Sequence, residues 1–268
     1  MKKAKSFLYL TQLNTRRIFR DFKYVLLIIA LPMFFYVIYS EIFPQNAAVN
    51  GISWKEYSLI SLICFGIMGN AINLLGTKVA NEKNDNWYAY LKVSVINPNA
   101  YMMSYLFSYF LISFIFSVAM ILLGYFYNDI HIAFYKLVEI VILLNVFSFA
   151  FLFLALIIGQ LGSAAQPIGT IVYLLLSFLG GLWIPVDAMP KHMQAFAETL
   201  PSYRYGHIGW SILSEGRIHI EDVLYLIGYA ILFFIIFLVL SKVNGKINKL
   251  FYSMAQVMRL TAMDLRCI

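Results

Sequence analysis

Six long apolar stretches, with Lys and Arg gathered in every second gap between them, decide what this chain can fold into. They run from Tyr24 to Phe43, Tyr57 to Leu75, Tyr101 to Tyr127, Leu137 to Leu161, Ile168 to Ile184 and Val223 to Leu240. A helix needs about 20 residues to cross the hydrocarbon core of a bilayer, and no unsatisfied backbone survives there. The pattern predicts an all-α polytopic membrane protein with six transmembrane helices. With 62% hydrophobic and 12% charged residues, the chain lies far from a water-soluble domain, where about a quarter of residues are charged.

The basic residues orient it. With the amino end inside, the inner segments hold Lys2, Lys3, Lys5, Arg16, Arg17, Arg20 and Lys23, then Lys78, Lys83 and Lys92, then Lys242, Lys246, Lys249, Arg259 and Arg266. The outer segments hold Lys55, Lys136, Lys191, Arg204 and Arg217, so fifteen cations against five place both termini in the cytoplasm. The net charge of +7 then faces anionic headgroups, membrane lipids being the expected partner and nucleic acid being excluded. Cys64 and Cys267 lie too far apart in the pattern for a disulfide framework or a metal site. The first apolar stretch is too long for a cleaved signal peptide and follows a long polar segment, so it reads as a retained span.

The chain reads as one transmembrane domain, residues 1–268, with four distinctive segments. Residues 1–23 place Phe7, Leu8, Thr11, Thr15, Ile18, Phe19 and Phe22 at helical spacing opposite Lys5, Gln12, Arg16, Arg20 and Lys23, which predicts an amphipathic helix in the headgroup plane. Residues 78–98 form the longest cytoplasmic connection and mix Glu82, Lys83, Asp85 and Lys92 with Trp87, Tyr88, Tyr90 and Leu91, while Asn97 and Pro98 read as the start of the third span. Residues 180–220 contain Gly180, Gly181, Pro185, Pro190 and Pro201, which break helices, among continuing apolar residues; broken re-entrant helices between spans five and six fit this better than a solvated loop. Residues 241–268 form a basic cytoplasmic tail.

Few side chains point to chemistry. His131, His192, His207 and His219 all fall in outer segments without zinc-binding spacing, and Gly245-Lys246 lacks the rest of a phosphate-binding loop. No catalytic residues, metal ligands or cofactor site are expected. Glu139 is the one ionisable candidate near a span interior, and it keeps an ion-coupled secondary carrier open as an alternative. Asn70 and Asn73 share a face of span two, and Asn145 and Ser148 one of span four; such groups either join helices by hydrogen bonds or line a substrate path.

The arrangement resembles the membrane subunit of an ABC exporter of the ABC-2 type. Glu82, Leu91 and Asn97-Pro98 look like that family's charged coupling segment, and Gly181-Leu-Trp-Ile-Pro185 through Met189-Pro190 to Leu200-Pro201-Ser-Tyr203 is similar to its element between spans five and six. The resemblance implies a permease in a bacterial plasma membrane, dimeric with a second copy or paralogue, and driven by separate ABC ATPase subunits that bind the ATP and magnesium. It further implies that Glu82, Lys83, Asp85, Trp87 and Leu91 dock on the ATPase. Gly180, Gly181, Trp183, Pro185, Pro190, Pro201 and Tyr203 would form an outer gate. The spans offer almost no charge, so a hydrophobic or amphiphilic cargo is expected, such as a drug, antimicrobial peptide or lipid-like molecule. A non-transporting scaffold or sensor that shares such an ATPase is the remaining alternative.

Overall fold

The computed structural model describes residues 2–20, 29–42, 48–49, 51–85, 87 and 98–264. Its elements are α1 (Lys2–Arg20), α2 (Leu31–Ile42), β1 (Ala48–Val49), β2 (Ile52–Ser53), α3 (Trp54–Gly69), a π-helical segment (Asn70–Gly76) and α4 (Thr77–Asn84). There follow α5 (Pro98–Asn128), α6 (Phe134–Phe147), α7 (Phe149–Gly159), α8 (Ala165–Leu179), α9 (Lys191–Ala197), α10 (Pro201–Ser214) and α11 (Ile220–Asp264).

Among the described residues, five helices are long and apolar enough to cross a bilayer: Trp54–Asn84, Met103–Asn128, Phe134–Gly159, Gly162–Leu179 and Ile220–Lys242. Of the expected first span, the apolar helix Leu31–Ile42 is described, while 24–28 and Phe43 lie outside the described residues. Several boundaries differ from the sequence expectation. Span two runs on to Asn84, because Thr77–Asn84 continues the helix beyond the point where charge begins. Span five stops at Leu179 rather than Ile184, and the tail expected from 241 onward is helical through Asp264. A two-stranded antiparallel ladder, Ala48↔Ser53 and Val49↔Ile52, also qualifies the all-α expectation.

That hairpin delivers the chain into α3 through a capping box. Ser53 Oγ accepts the Glu56 backbone N–H at 3.3 Å, and the Glu56 carboxylate accepts the Ser53 N–H at 3.0 Å, so two donors at the helix start are satisfied reciprocally. The core forms around α3: every residue from Tyr57 to Ile72 is buried, as expected of a helix that is apolar all round. α2, α5, α6, α8 and α10 enclose it, and α7 packs against both the π-helical segment and α11. α11 exposes Ile227, Ile231, Ile235 and Val239 on its outer side. So much exposed apolar surface fits lipid rather than water.

α1 lies along α5. Thr11 and Asn14 are buried there, with Asn14 Nδ2 donating to Ser104 Oγ at 3.1 Å and Ser108 Oγ donating to the Thr11 carbonyl at 3.1 Å. Leu8, Tyr9 and Phe19 remain exposed on the same helix.

Candidate functional site

The α4 end of the α3–α4 helix carries residues that the sequence nominated for coupling. Glu82, on the last turn of α4, is 6% exposed, so its carboxylate needs partners inside the protein. It has two: Tyr101 Oη, on the first turn of α5, donates to Oε1, and Lys78 Nζ lies 3.1 Å from the same oxygen. The Trp87 ring sits 6.3 Å from that of Tyr101. Lys83 Nζ turns the other way and donates to the Gln160 carbonyl at 3.0 Å and to its Oε1 at 3.2 Å, tying α4 to the end of α7. Of the three charges nominated to dock on a partner, Glu82 and Lys83 are therefore held within the chain, and Asp85 faces outward. Leu91 lies outside the described residues.

The amides in the spans are joined through α5. Asn70 Nδ2 donates to Ser113 Oγ at 3.3 Å and Asn145 Nδ2 to Ser117 Oγ at 3.4 Å, while Ser148 Oγ caps the Asn145 carbonyl at 2.6 Å. Ser113 and Ser117 sit one turn apart, so the two asparagines from different helices meet one ladder of buried hydroxyls. Asn70, Asn145 and Ser148 are buried inside the bundle. Asn73 is half-buried, accepts from Thr170 Oγ1 at 3.3 Å and lines an open cleft. Glu139, the ion-coupling candidate, is half-buried on α6.

At the opposite end, α8 stops in a Schellman arrangement: the Leu182 N–H bonds to the Ser177 carbonyl at 3.0 Å and the Gly181 N–H to the Phe178 carbonyl at 3.4 Å. Gly181 has φ +81°, which a side chain rarely tolerates, and its carbonyl accepts Tyr57 Oη at 2.7 Å. Gly180 packs so closely on Ser202 that an added Cβ would lie 2.1 Å from its Oγ. The glycine pair thus makes a helix stop and a close contact within the element that the resemblance marks as a gate. Each proline stands at a helix start: Pro185 before Val186–Ala188, Pro190 before α9 and Pro201 as the first residue of α10. Trp183 points inward, its ring 5.6 Å from those of Phe35 and Phe65, and Tyr203 stacks on His207 at 5.4 Å.

α10 reaches far into the bundle. Tyr205 Oη donates to the Leu144 carbonyl at 2.6 Å and Trp210 Nε1 to Ser61 Oγ at 3.1 Å. Leu144 lies ten residues beyond the start of α6, about 15 Å along it at 1.5 Å per residue.

Sequence reasoning missed a buried ionic cluster behind this element. Asp222, fully enclosed in the first turn of α11, receives Arg204 Nη1 at 3.0 Å on one oxygen and lies 2.6 Å from His207 Nδ1 through the other. The signal was present as Arg204 and His207 three residues apart on one helical face, with an acid opening the last span.

Comparison with known proteins fits this geometry. The sequence model of the ABC-2 type transporter matches residues 5–208, from α1 through most of α10. The chain belongs to the ABC-2 type transporter family. It is also similar to a protein of Bacillus subtilis (strain 168) named "Putative transport permease YvfS", at 26% identity over 223 residues that cover 82% of this chain and 91% of the relative. As an ABC-2 protein it is the membrane subunit of an ABC transporter. The matched region contains the Glu82–Tyr101 junction and the greater part of the outer element.

Proposed function

We propose that this chain is the permease half of an ATP-driven exporter, working with a second permease subunit and with separate ABC ATPase subunits docked on its cytoplasmic face. The observation that carries this is the brace at Glu82. One buried carboxylate holds the end of α4 to the start of α5, so the segment between Asp85 and Pro98 hangs from two helices whose ends are tied together. A partner that pulls on that segment moves spans two and three as one lever. Asp85, Trp87 and Leu91 meet the ATPase in this reading, while Glu82 and Lys83 transmit the displacement inward.

The cargo is hydrophobic or amphiphilic. A cavity of about 940 Å³ between α5 and α6 is lined by Phe114, Val118, Leu122, Leu137, Val138 and Ile142, and apolar walls give an ionic cargo no compensation. The outer element acts as the lid on its path. α8 exposes Ile171, Leu175 and Phe178, a face on which the second permease subunit fits. Both termini lie in the cytoplasm of a bacterial cell in this reading, and the bias of cations toward the α1 and α11 tails supports that orientation.

Export measured with Glu82→Gln and Leu91→Asp tests the reading. Leu91→Asp should abolish co-purification with the ATPase, whereas Glu82→Gln should keep the complex assembled and lower ATP-driven export. Assembly unaffected by Leu91→Asp, or full export by Glu82→Gln, counts against the lever. Export that persists without the ATPase and collapses with the proton gradient would favour an ion-coupled carrier.

A further inference from the structure

A cleft of about 290 Å³ opens beside the Lys78–Glu82 pair, bounded by α1, the π-helical segment, α4 and α5. Arg17 and Lys78 bring positive charge to its wall, and Asn14, Asn73, Thr77 and Asn81 bring amides and a hydroxyl. We propose that this cleft binds the phosphodiester headgroup of an anionic phospholipid from the inner leaflet.

Charge favours such a ligand. Among the described residues no carboxylate pairs with Arg17, while Lys78 is shared with Glu82 and lies 5.9 Å over the Tyr105 ring. Two cations and one adjacent carboxylate leave a single positive charge, which a phosphodiester neutralises. An ammonium ion carries three donors and Glu82 engages one of them, so Lys78 can hold its carboxylate and a phosphate oxygen together. The surrounding amides and hydroxyl suit a headgroup that bears hydroxyls. A choline group would bring a further positive charge toward Arg17, with which no carboxylate among the described residues pairs.

The lipid source follows from α1. Leu8, Tyr9 and Phe19 are 62%, 64% and 43% exposed on the helix that supplies Arg17. Apolar side chains beside basic ones place such a helix at the headgroup boundary, where acyl chains cover them. Basic pockets between membrane helices on the cytoplasmic side are suited to anionic headgroups. The π-helical segment that contributes Asn73 is a local widening of the helix of a kind frequent at functional sites. Because Lys78 touches both the cleft and Glu82, a bound lipid steadies the α4–α5 junction. The choice of leaflet rests on the orientation proposed above; the site itself does not.

Native mass spectrometry of the purified full-length chain in detergent, titrated with dioleoyl phosphatidylglycerol or dioleoyl phosphatidylcholine, tests the proposal without reference to orientation or transport. Phosphatidylglycerol should bind preferentially. Arg17→Gln and Lys78→Gln should each weaken it about tenfold or more, as expected for lost hydrogen bonds to a charged group. Arg16→Gln removes the same charge from the same helix outside the cleft and should leave binding within about twofold at physiological salt. Equal losses from Arg16→Gln and Arg17→Gln mean diffuse attraction and overturn the site. Displacement of the lipid by millimolar inorganic phosphate assigns the cleft to a soluble anion and overturns the lipid assignment. Should Lys78→Gln fail to fold, Thr77→Val keeps every charge and should still weaken phosphatidylglycerol; unchanged binding there overturns the proposal.

Discussion

Arg204 and Asp222 meet at 3.0 Å between Nη1 and Oδ1, with the Asp222 carboxylate wholly enclosed. This bond joins the broken outer element to the first turn of the last span. The Arg204 guanidinium also lies 4.4 Å from the Tyr225 ring, so the contact combines charge, a hydrogen bond and a stacked face.

Removing one partner from a buried pair leaves an uncompensated charge, which typically costs about 3 to 5 kcal/mol. Arg204→Met should therefore destabilise the protein in detergent by roughly 3 kcal/mol. Adding Asp222→Asn should recover part of the loss, and unfolding of both single variants and the double variant gives the coupling directly. Additive effects would show that the two side chains act independently.

Tyr101→Phe keeps the ring against Trp87 and removes only the donor to Glu82. A buried acceptor left short of a partner costs about 1 to 3 kcal/mol. The melting temperature should fall accordingly, and ATP-driven export should fall more than ATPase binding does. Equal losses in both would locate Tyr101 at the docking surface instead of in the lever.

Gly181→Ala should cost about 1 to 2 kcal/mol for the left-handed backbone alone. An added Cβ would also lie 2.7 Å from Val186 Cγ2. Thermal unfolding measures the sum, and a neutral substitution would mean that the α8 stop relaxes freely.

Cysteine labelling of intact cells tests the orientation. In a Cys267→Ser background, Asp85→Cys should resist a membrane-impermeant maleimide and Lys191→Cys should react, both positions being exposed. Labelling of Asp85→Cys from outside would invert the topology and with it the coupling assignment.

Several features of the fold were legible in the residues. The capacity to cross a bilayer follows from summed transfer energy over about 20 residues, which is local in sequence. Pro98, Pro185, Pro190 and Pro201 mark helix starts because a missing N–H and a fixed φ act within one turn. The coupling segment was read as a place where charge and large apolar residues mix, but the partners of its charges were not foreseen. Glu82 finds Tyr101 across 19 positions and Lys83 finds Gln160 across 77. Asp222 went unread, because its partners Arg204 and His207 stand 18 and 15 positions away in the sequence.

By itself the amino-acid sequence determined that this is a helical membrane protein, which way its charges bias it, and where its helices break, because hydropathy, proline and glycine act over one span or one turn. Only the tertiary structure decided that Glu82 braces two helices and does not face outward, and that Gly181 ends a helix in the left-handed region while Gly180 packs on Ser202. It also decided that α10 reaches Leu144 in the depth of the bundle. Those outcomes depend on which distant groups satisfy each buried polar atom, and that is settled by packing in three dimensions.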